Sequence, residues 1–311
     1  MILKMENVIK RFNNHLALDY LSLEVNKGEV IGLLGPNGAG KTTCINSIVG
    51  LLPVDEGEIT VFNMKQDGKN QDIKRKIGFV TQEITIYEDM TAKENLAFFG
   101  SLYGLKKAEL ENRINEVAKI IGLEDRLNDR PGHFSGGMKR RLNIGCSILH
   151  NPELLIMDEP TVGIDPQSRN YILDFVKKIA AEGTTVIYTS HYIEEVEAVA
   201  SRIYIVDQGH VIASGTLKEL IARIKGDSHI LVDVKIARED KKDELLALTD
   251  VKEVVIKDNQ YHIIVPGGIS IIDKIVSILA PLGIVNVNSK QPTLEDVFLT
   301  LTGKQLRDEV N

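Results

Sequence analysis

Residues 35–42 read GPNGAGKT, which places three glycines, a lysine and a hydroxyl at the spacing G-x-x-x-x-G-K-[ST]. Gly35, Gly38 and Gly40 let the backbone turn through angles closed to other residues, so successive N–H groups can converge on one point. Such a loop at a helix mouth holds phosphate, and Pro36, Asn37, Ala39 and Thr43 complete the same cradle. Lys41 is expected to reach the β- and γ-phosphates of a nucleoside triphosphate and act on them in catalysis. Thr42 is expected to give its hydroxyl to Mg²⁺.

A second chemical group follows at LLIMDEP, where an apolar run ends in the adjacent carboxylates Asp158 and Glu159. Two carboxylates at the end of a buried strand are costly unless a cation or a proton transfer uses them. Asp158 is expected to hold Mg²⁺ through its water shell. Glu159 is expected to polarise the attacking water, a general-base contribution of about 10²–10⁴-fold. Cradle and carboxylates together describe hydrolysis of ATP.

A second glycine loop, HFSGGMKRRLNIG (133–145), poses a question. Ser135, Gly136 and Gly137 stand at the mouth of an evident helix, where unpaired N–H groups and the positive end of the dipole attract anions. One nucleotide site does not need two cradles.

The elements that must position these residues are legible in the pattern. EVIGLL (29–34), LLIMD (154–158) and TTVIYTS (184–190) read as buried strands of a mainly parallel sheet. The strand EVIGLL precedes the cradle and the helix TTCINSIVGLL follows it, as the motif requires. Residues 83–150 are mostly helical and read as a subdomain inserted in the α/β core. Within them Leu110, Ile114, Val117 and Ile121 fall on one helix face that stops at Gly122. VDQGHVIASG reads as a closing hairpin. From Asp227 the order is β-α-β-β-α-β, a small α+β ferredoxin-like unit, with a last helix TLEDVFLTLTG capped by Thr293 and ending before Gly303. The expected domains are 1–224 and 225–311.

With these residues in view, the chain resembles the ATP-binding subunits of ABC transporters over residues 1–224. That resemblance implies a P-loop NTPase core and gives roles to five further landmarks in the family's order. Gln82 in FVTQE is similar to the Q-loop glutamine, a catalytic residue and Mg²⁺ ligand. FSGGMKRR resembles the family signature, Asp165 in GIDP the D-loop aspartate, and His191 in TSHY the catalytic switch histidine. Phe12 occupies the place of the aromatic that stacks on adenine. Phe134 and Met138 depart from the usual Leu and Gln of the signature. In the family two copies pack head to tail, each signature loop facing the other copy's ATP. The resemblance thus implies a dimer of this chain, with Ser135, Gly136, Gly137 and Asp165 contacting the partner's nucleotide.

The same resemblance implies a separate transmembrane permease, with this chain peripheral on the cytoplasmic face of the membrane. ITIYEDMTAKENLAFFGSLYG (84–104) is rich in Ile, Tyr, Phe and Leu and is expected to offer part of the docking surface. PTLEDVFLTLTGKQLRDE resembles the ending of ATPases that serve exporters of drugs, antibiotics, lipids or ions.

Composition limits the alternatives. The 311 residues carry 37 Lys+Arg against 44 Asp+Glu, a net charge of −7, which argues against a surface devoted to nucleic acid. The competing reading, an ABC ATPase of translation or DNA repair, calls for two modules, long coiled coils or basic surfaces, and none is evident. Cys44 and Cys146 both fall in expected helices and read as free thiols. The N-terminus meets a charge at Lys4. The uncharged stretch 275–289 is interrupted by Pro281 and Gly283 and is shorter than the ~20 apolar residues of a spanning helix.

Overall fold

The computed structural model describes residues 1–223, 227–266, 271–290 and 293–302, which fall into two compact units divided between Thr216 and Leu217. The first unit begins with β1 (Leu3–Phe12), β2 (His15–Val25), β3 (Val30–Leu34), α1 (Lys41–Ile48), β4 (Glu56–Val61), β5 (Met64–Lys65), α2 (Gln71–Lys74) and β6 (Ile77–Val80). The helical segment follows as α3 (Ala92–Leu102), α4 (Lys107–Ile120) and α5 (Gly136–Ile148). The unit closes with β7 (Leu154–Asp158), α6 (Pro166–Ala181), β8 (Thr185–Ser190), α7 (Ile193–Val199), β9 (Arg202–Asp207) and β10 (His210–Gly215).

Six of these strands form a sheet in the order β10-β9-β3-β8-β7-β6, parallel except at the β10 edge, which pairs antiparallel as the expected hairpin. Every residue of β3, β7 and β8 is buried, which is why their apolar residues run together without the alternation of a half-exposed strand. On one face lie Leu3, Leu23, Ile45 and Ile59 with Ile31 and Ile156 of the sheet. On the other, Leu155, Met157 and Tyr188 pack with Leu96, Ile114, Leu142 and Phe175 of the helices.

A second sheet, β2-β1-β4-β5, is antiparallel and was not legible in the sequence. Register shifts interrupt the β1–β2 ladder at three places, and Asn7 and Tyr20 take positive φ of 47° and 49°. These irregularities break the alternation that marks a strand.

Among the described residues no strand lies between Val80 and Leu154, matching the expected helical insert. α3 starts in a capping box in which Thr91 and Glu94 exchange hydrogen bonds. Along α4, Ile114 and Val117 are buried, and so is Ile121 just past it; the helix ends before Gly122, at φ +61°.

The second unit holds α8 (Leu217–Arg223), β11 (Asp227–Val234), α9 (Glu239–Leu246), β12 (Glu253–Lys257), β13 (Gln260–Pro266), α10 (Ile272–Leu279), β14 (Ile284–Lys290) and α11 (Leu294–Thr302). Its four strands are antiparallel in the order β12-β13-β11-β14, the arrangement expected of the ferredoxin-like element order. Ile230, Val232, Tyr261, Ile263 and Val265 of the sheet pack on Leu245, Ile275 and Leu279 of the helices. Thr293 caps α11 by accepting the N–H of Asp296 at 3.2 Å, while Gly303 lies outside the described residues. Among the described residues no helix is long and apolar enough to cross a membrane.

Candidate active site

The site forms where β3, β7 and β8 end side by side, at the carboxyl edge of the parallel sheet. Residues 35–40 link β3 to α1, and Gly40 precedes the helix at φ +104°, a conformation that side chains other than glycine rarely adopt. A Cβ at Gly40 would also stand 2.6 Å from the carbonyl oxygen of Ala17, so the loop is closed to substitution there. No side chain caps α1, which leaves its first N–H groups to the loop.

Lys41 is buried, at 5% exposure, and its Nζ donates to the carbonyls of Gly35 at 2.7 Å and Pro36 at 3.1 Å. The same Nζ lies 3.2 Å from Oε1 of Glu159. The other carboxylate oxygen of Glu159, Oε2, lies 3.1 Å from Nδ1 of His191. One carboxylate thus bridges the cradle lysine and the histidine at the end of β8. Burial pushes the Glu159 carboxyl upward, but the His191 hydrogen bond and the Lys41 charge outweigh it and hold the group below the usual glutamate range. Glu159 also sits at φ +45°, a strained backbone for a non-glycine residue that its neighbours must enforce.

Asp158 is 2% exposed, and burial raises its carboxyl above the usual range despite hydrogen bonds from Thr189 and Thr42. Thr189 fixes both carboxylate residues. Its Oγ1 donates to Oδ1 of Asp158 at 2.7 Å and accepts the N–H of Glu159 at 2.9 Å. The Thr42 hydroxyl and the Asp158 carboxylate therefore converge as hard oxygen donors, the chemistry that suits Mg²⁺. Among the described residues no cluster of three or more His, Cys, Asp or Glu could hold a metal alone.

The cleft above these groups has a volume of about 320 Å³ and is lined by Phe12, Asn37, Gly38, Ala39, Gly40, Lys41, Thr42, Thr43, Gln82 and Glu159, with His15 and Ala17. Phe12 is 45% exposed and so offers an open ring face at the rim. Gln82 is held from behind by Arg140, a buried guanidinium that donates to the carbonyls of Gln82 and, at 2.7 Å, of Thr81.

Ser135, Gly136 and Gly137 do not line this cleft. Ser135 caps α5 by accepting the N–H of Met138 at 3.2 Å. Gly137 packs against the start of α6, where its Cβ would stand 1.9 Å from Oγ of Ser168. Asp165 caps α6 and accepts the N–H of Ser168 at 2.9 Å. The second glycine loop and Asp165 are thus neighbours of each other, apart from the cradle of their own chain. Phe134 is buried and Met138 partly buried in the core beside the helices.

The ABC transporter family model matches residues 18–162, and the model of the ATP-binding protein DrrA1-3-like C-terminal domain matches residues 215–302. The linearmycin resistance ATP-binding protein LnrL of Bacillus subtilis is 45% identical over 99% of this chain and 100% of its own. The chain belongs to the ATP-binding subunits of ABC transporters. It is an ATPase of the ABC transporter type. The daunorubicin resistance ATP-binding protein DrrA3 of Streptomyces coeruleorubidus is 35% identical over 96% of this chain and 95% of its own. Among solved structures, a dimeric ATP-binding cassette in a post-hydrolysis state with ADP and Pi is 30% identical. It covers 70% of this chain and 99% of its own, at a TM-score of 0.64.

Thr189 and Arg140 belong to this ABC site and were not singled out in the sequence. Thr189 stands near the end of β8 between Tyr188 and Ser190, and Arg140 is an arginine on the buried side of its helix.

Proposed function

We propose that two copies of this chain sandwich two ATP molecules, each held by one copy's cradle and closed by the other's Ser135–Gly136–Gly137 loop with Asp165. Lys41 neutralises the β- and γ-phosphates, Glu159 accepts a proton from the attacking water, and His191 holds Glu159 in place. Phe12 stacks on the base. Thr42 and Asp158, with Gln82, would hold Mg²⁺, which would supply positive charge to neutralise the triphosphate. The observation that carries this reading is the Lys41–Glu159–His191 chain of contacts at 3.2 and 3.1 Å beside the Asp158–Thr189 bond at 2.7 Å. It is supported by the separation of each chain's signature loop from its own cleft, which leaves that loop to a partner.

ATP then acts as an adhesive between the copies, and its hydrolysis releases them. By linkage, a ligand stabilises the state that binds it best. The partner across the membrane is a separate permease on whose cytoplasmic side the dimer sits, and the names of the resistance relatives favour antibiotic or other drug cargo over lipid or ion. Tyr87, with its ring 5.1 Å from that of Phe98, and Leu102 leave an exposed apolar patch after Gln82 that suits permease docking. The C-terminal domain, read as 225–311, is proposed to stabilise the dimer or restrain turnover. A chain ending at Thr216 with full-length dimerisation and rate would remove that role.

The test of the cradle is Lys41→Ala with equilibrium nucleotide binding and phosphate release. Binding or hydrolysis is expected to collapse, whereas wild-type rates would remove the lysine from the account.

A further inference from the structure

Glu195 on α7 has no part in the site described so far, yet it is a carboxylate at 2% exposure. A buried charge of this kind persists only where several partners fix it. Its Oε2 accepts three hydroxyls: Thr161 at 2.7 Å, Ser190 at 2.9 Å and Tyr188 at 3.0 Å. Burial, and next the Glu195 charge, push the Tyr188 phenol well above its ordinary value, so it stays protonated and donates. Its Oε1 lies 3.2 Å from Nε of Arg169, an ion pair without an aligned hydrogen bond.

Two of these partners lie beside residues of the proposed hydrolytic pair. Thr161 follows Glu159 by two positions. Ser190 and Tyr192 flank His191, and Ser190 Oγ accepts the N–H of Tyr192 at 2.9 Å. The guanidinium of Arg169 lies 4.9 Å from the centre of the Tyr192 ring. Arg169 is also in the first turn of α6, where its N–H donates to the carbonyl of Asp165 at 2.9 Å. Three aligned hydroxyl bonds fix Glu195 to the strand and loop that carry Glu159 and His191. The single unaligned ion pair is its joint to the helix that carries Asp165.

We propose that Glu195 is a positioning residue that couples the start of α6, and with it the Asp165 contact to a partner subunit, to the placement of His191 and Glu159. The proposal rests on the reading of those two residues as the hydrolytic pair. Movement of α6 when two copies close would be transmitted through Arg169 to Glu195 and on to the switch loop. Glu195 does not line the nucleotide cleft, and its effect is exerted through its neighbours.

Glu195→Gln tests the joint, since an amide oxygen can still accept the hydroxyls while its NH₂ opposes the guanidinium. In full-length protein, kcat is expected to fall about tenfold or more, because small misplacement of reacting groups is costly. KM, nucleotide affinity and melting temperature should change little, because the cradle is untouched. Arg169→Met should reproduce the loss, and the double variant should be no slower than either single one. Arg169→Lys should recover part of the rate. Should Glu195→Gln fail to fold, Arg169→Met carries the same test from a side chain that is partly exposed.

Wild-type kcat in Glu195→Gln or Arg169→Met, independent multiplication of their effects, or a loss accounted for by unfolded protein alone would overturn the proposal. Glu159→Gln and His191→Ala are assayed alongside. If they hydrolyse ATP normally, the reading of the hydrolytic pair fails and the role of Glu195 falls with it. If they are inactive while Glu195→Gln turns over normally, only the coupling is wrong.

Discussion

Replacing Glu159 by glutamine removes one negative charge from the centre of the site and leaves its shape unchanged. In the wild type, Lys41 Nζ at 3.2 Å and His191 Nδ1 at 3.1 Å share the two carboxylate oxygens. Lys41 keeps its bonds to the Gly35 and Pro36 carbonyls at 2.7 and 3.1 Å in the variant, so its burial stays compensated. The loss of fold stability should therefore be only about 1–3 kcal/mol, the cost of one weakened charged contact. Catalysis should suffer more. The carboxyl of Glu159 is held below its usual range, so at neutral pH it is ionised and able to accept a proton, which an amide is not. Removing a general base costs about 10²–10⁴ in rate, or about 3–5 kcal/mol of barrier. Binding should move the other way. Glu159 competes with phosphate for Lys41 and repels the incoming anion, so the neutral variant should bind ATP a few-fold tighter, about 1 kcal/mol. Phosphate release gives the first quantity, titration with a fluorescent nucleotide the second, and light scattering in ATP with Mg²⁺ the dimer that slow hydrolysis should trap. A kcat within about threefold of wild type would refute the base assignment. A variant that binds ATP yet remains monomeric would refute the adhesive role.

Gly137→Ala should cost about 1–3 kcal/mol of stability and weaken ATP-driven dimerisation, because the new Cβ meets Oγ of Ser168 at 1.9 Å and its Cβ at 2.5 Å. Adding Ser168→Gly should restore the melting temperature, and unchanged melting in the single variant would show that the helix start yields. His150 stacks on Tyr103 with ring centroids 3.5 Å apart, and burial, reinforced by the Arg113 charge, lowers its pKa from 6.5 to about 4 despite a hydrogen bond to Ile77. Its neutral form is the folded one, so its contribution is complete above pH 6.5 and is lost as the pH falls to about 4, at most about 3 kcal/mol. His150→Phe should flatten the stability profile over that window; an identical pH slope in both proteins would contradict this.

The cradle and the carboxylate pair were readable because their chemistry is contiguous: eight residues between one strand and one helix, and two adjacent acids ending another. Thr189, Arg140 and Glu195 were not, because their function exists only in distances between segments. Thr189 is 31 residues from Asp158 and Arg140 is 58 from Gln82. In the sequence each stands beside other polar residues and nothing marks it out: Thr189 precedes Ser190, Arg140 lies between Lys139 and Arg141, and Glu195 follows Glu194. The antiparallel sheet was hidden for a different reason. β1 and β2 slip register three times, and a strand that changes face loses the period by which it is recognised. The signature loop shows the converse, a motif plain in sequence that does not line the cleft of its own chain.

That loop also provides the most direct test. In a complex of the Glu159→Gln protein trapped with ATP and Mg²⁺, the N–H groups and hydroxyl of Ser135, Gly136 and Gly137 should lie within hydrogen-bond distance of the γ-phosphate held by the other copy's Lys41. A trapped complex in which these residues face solvent, or close over the nucleotide of their own chain, would contradict the account.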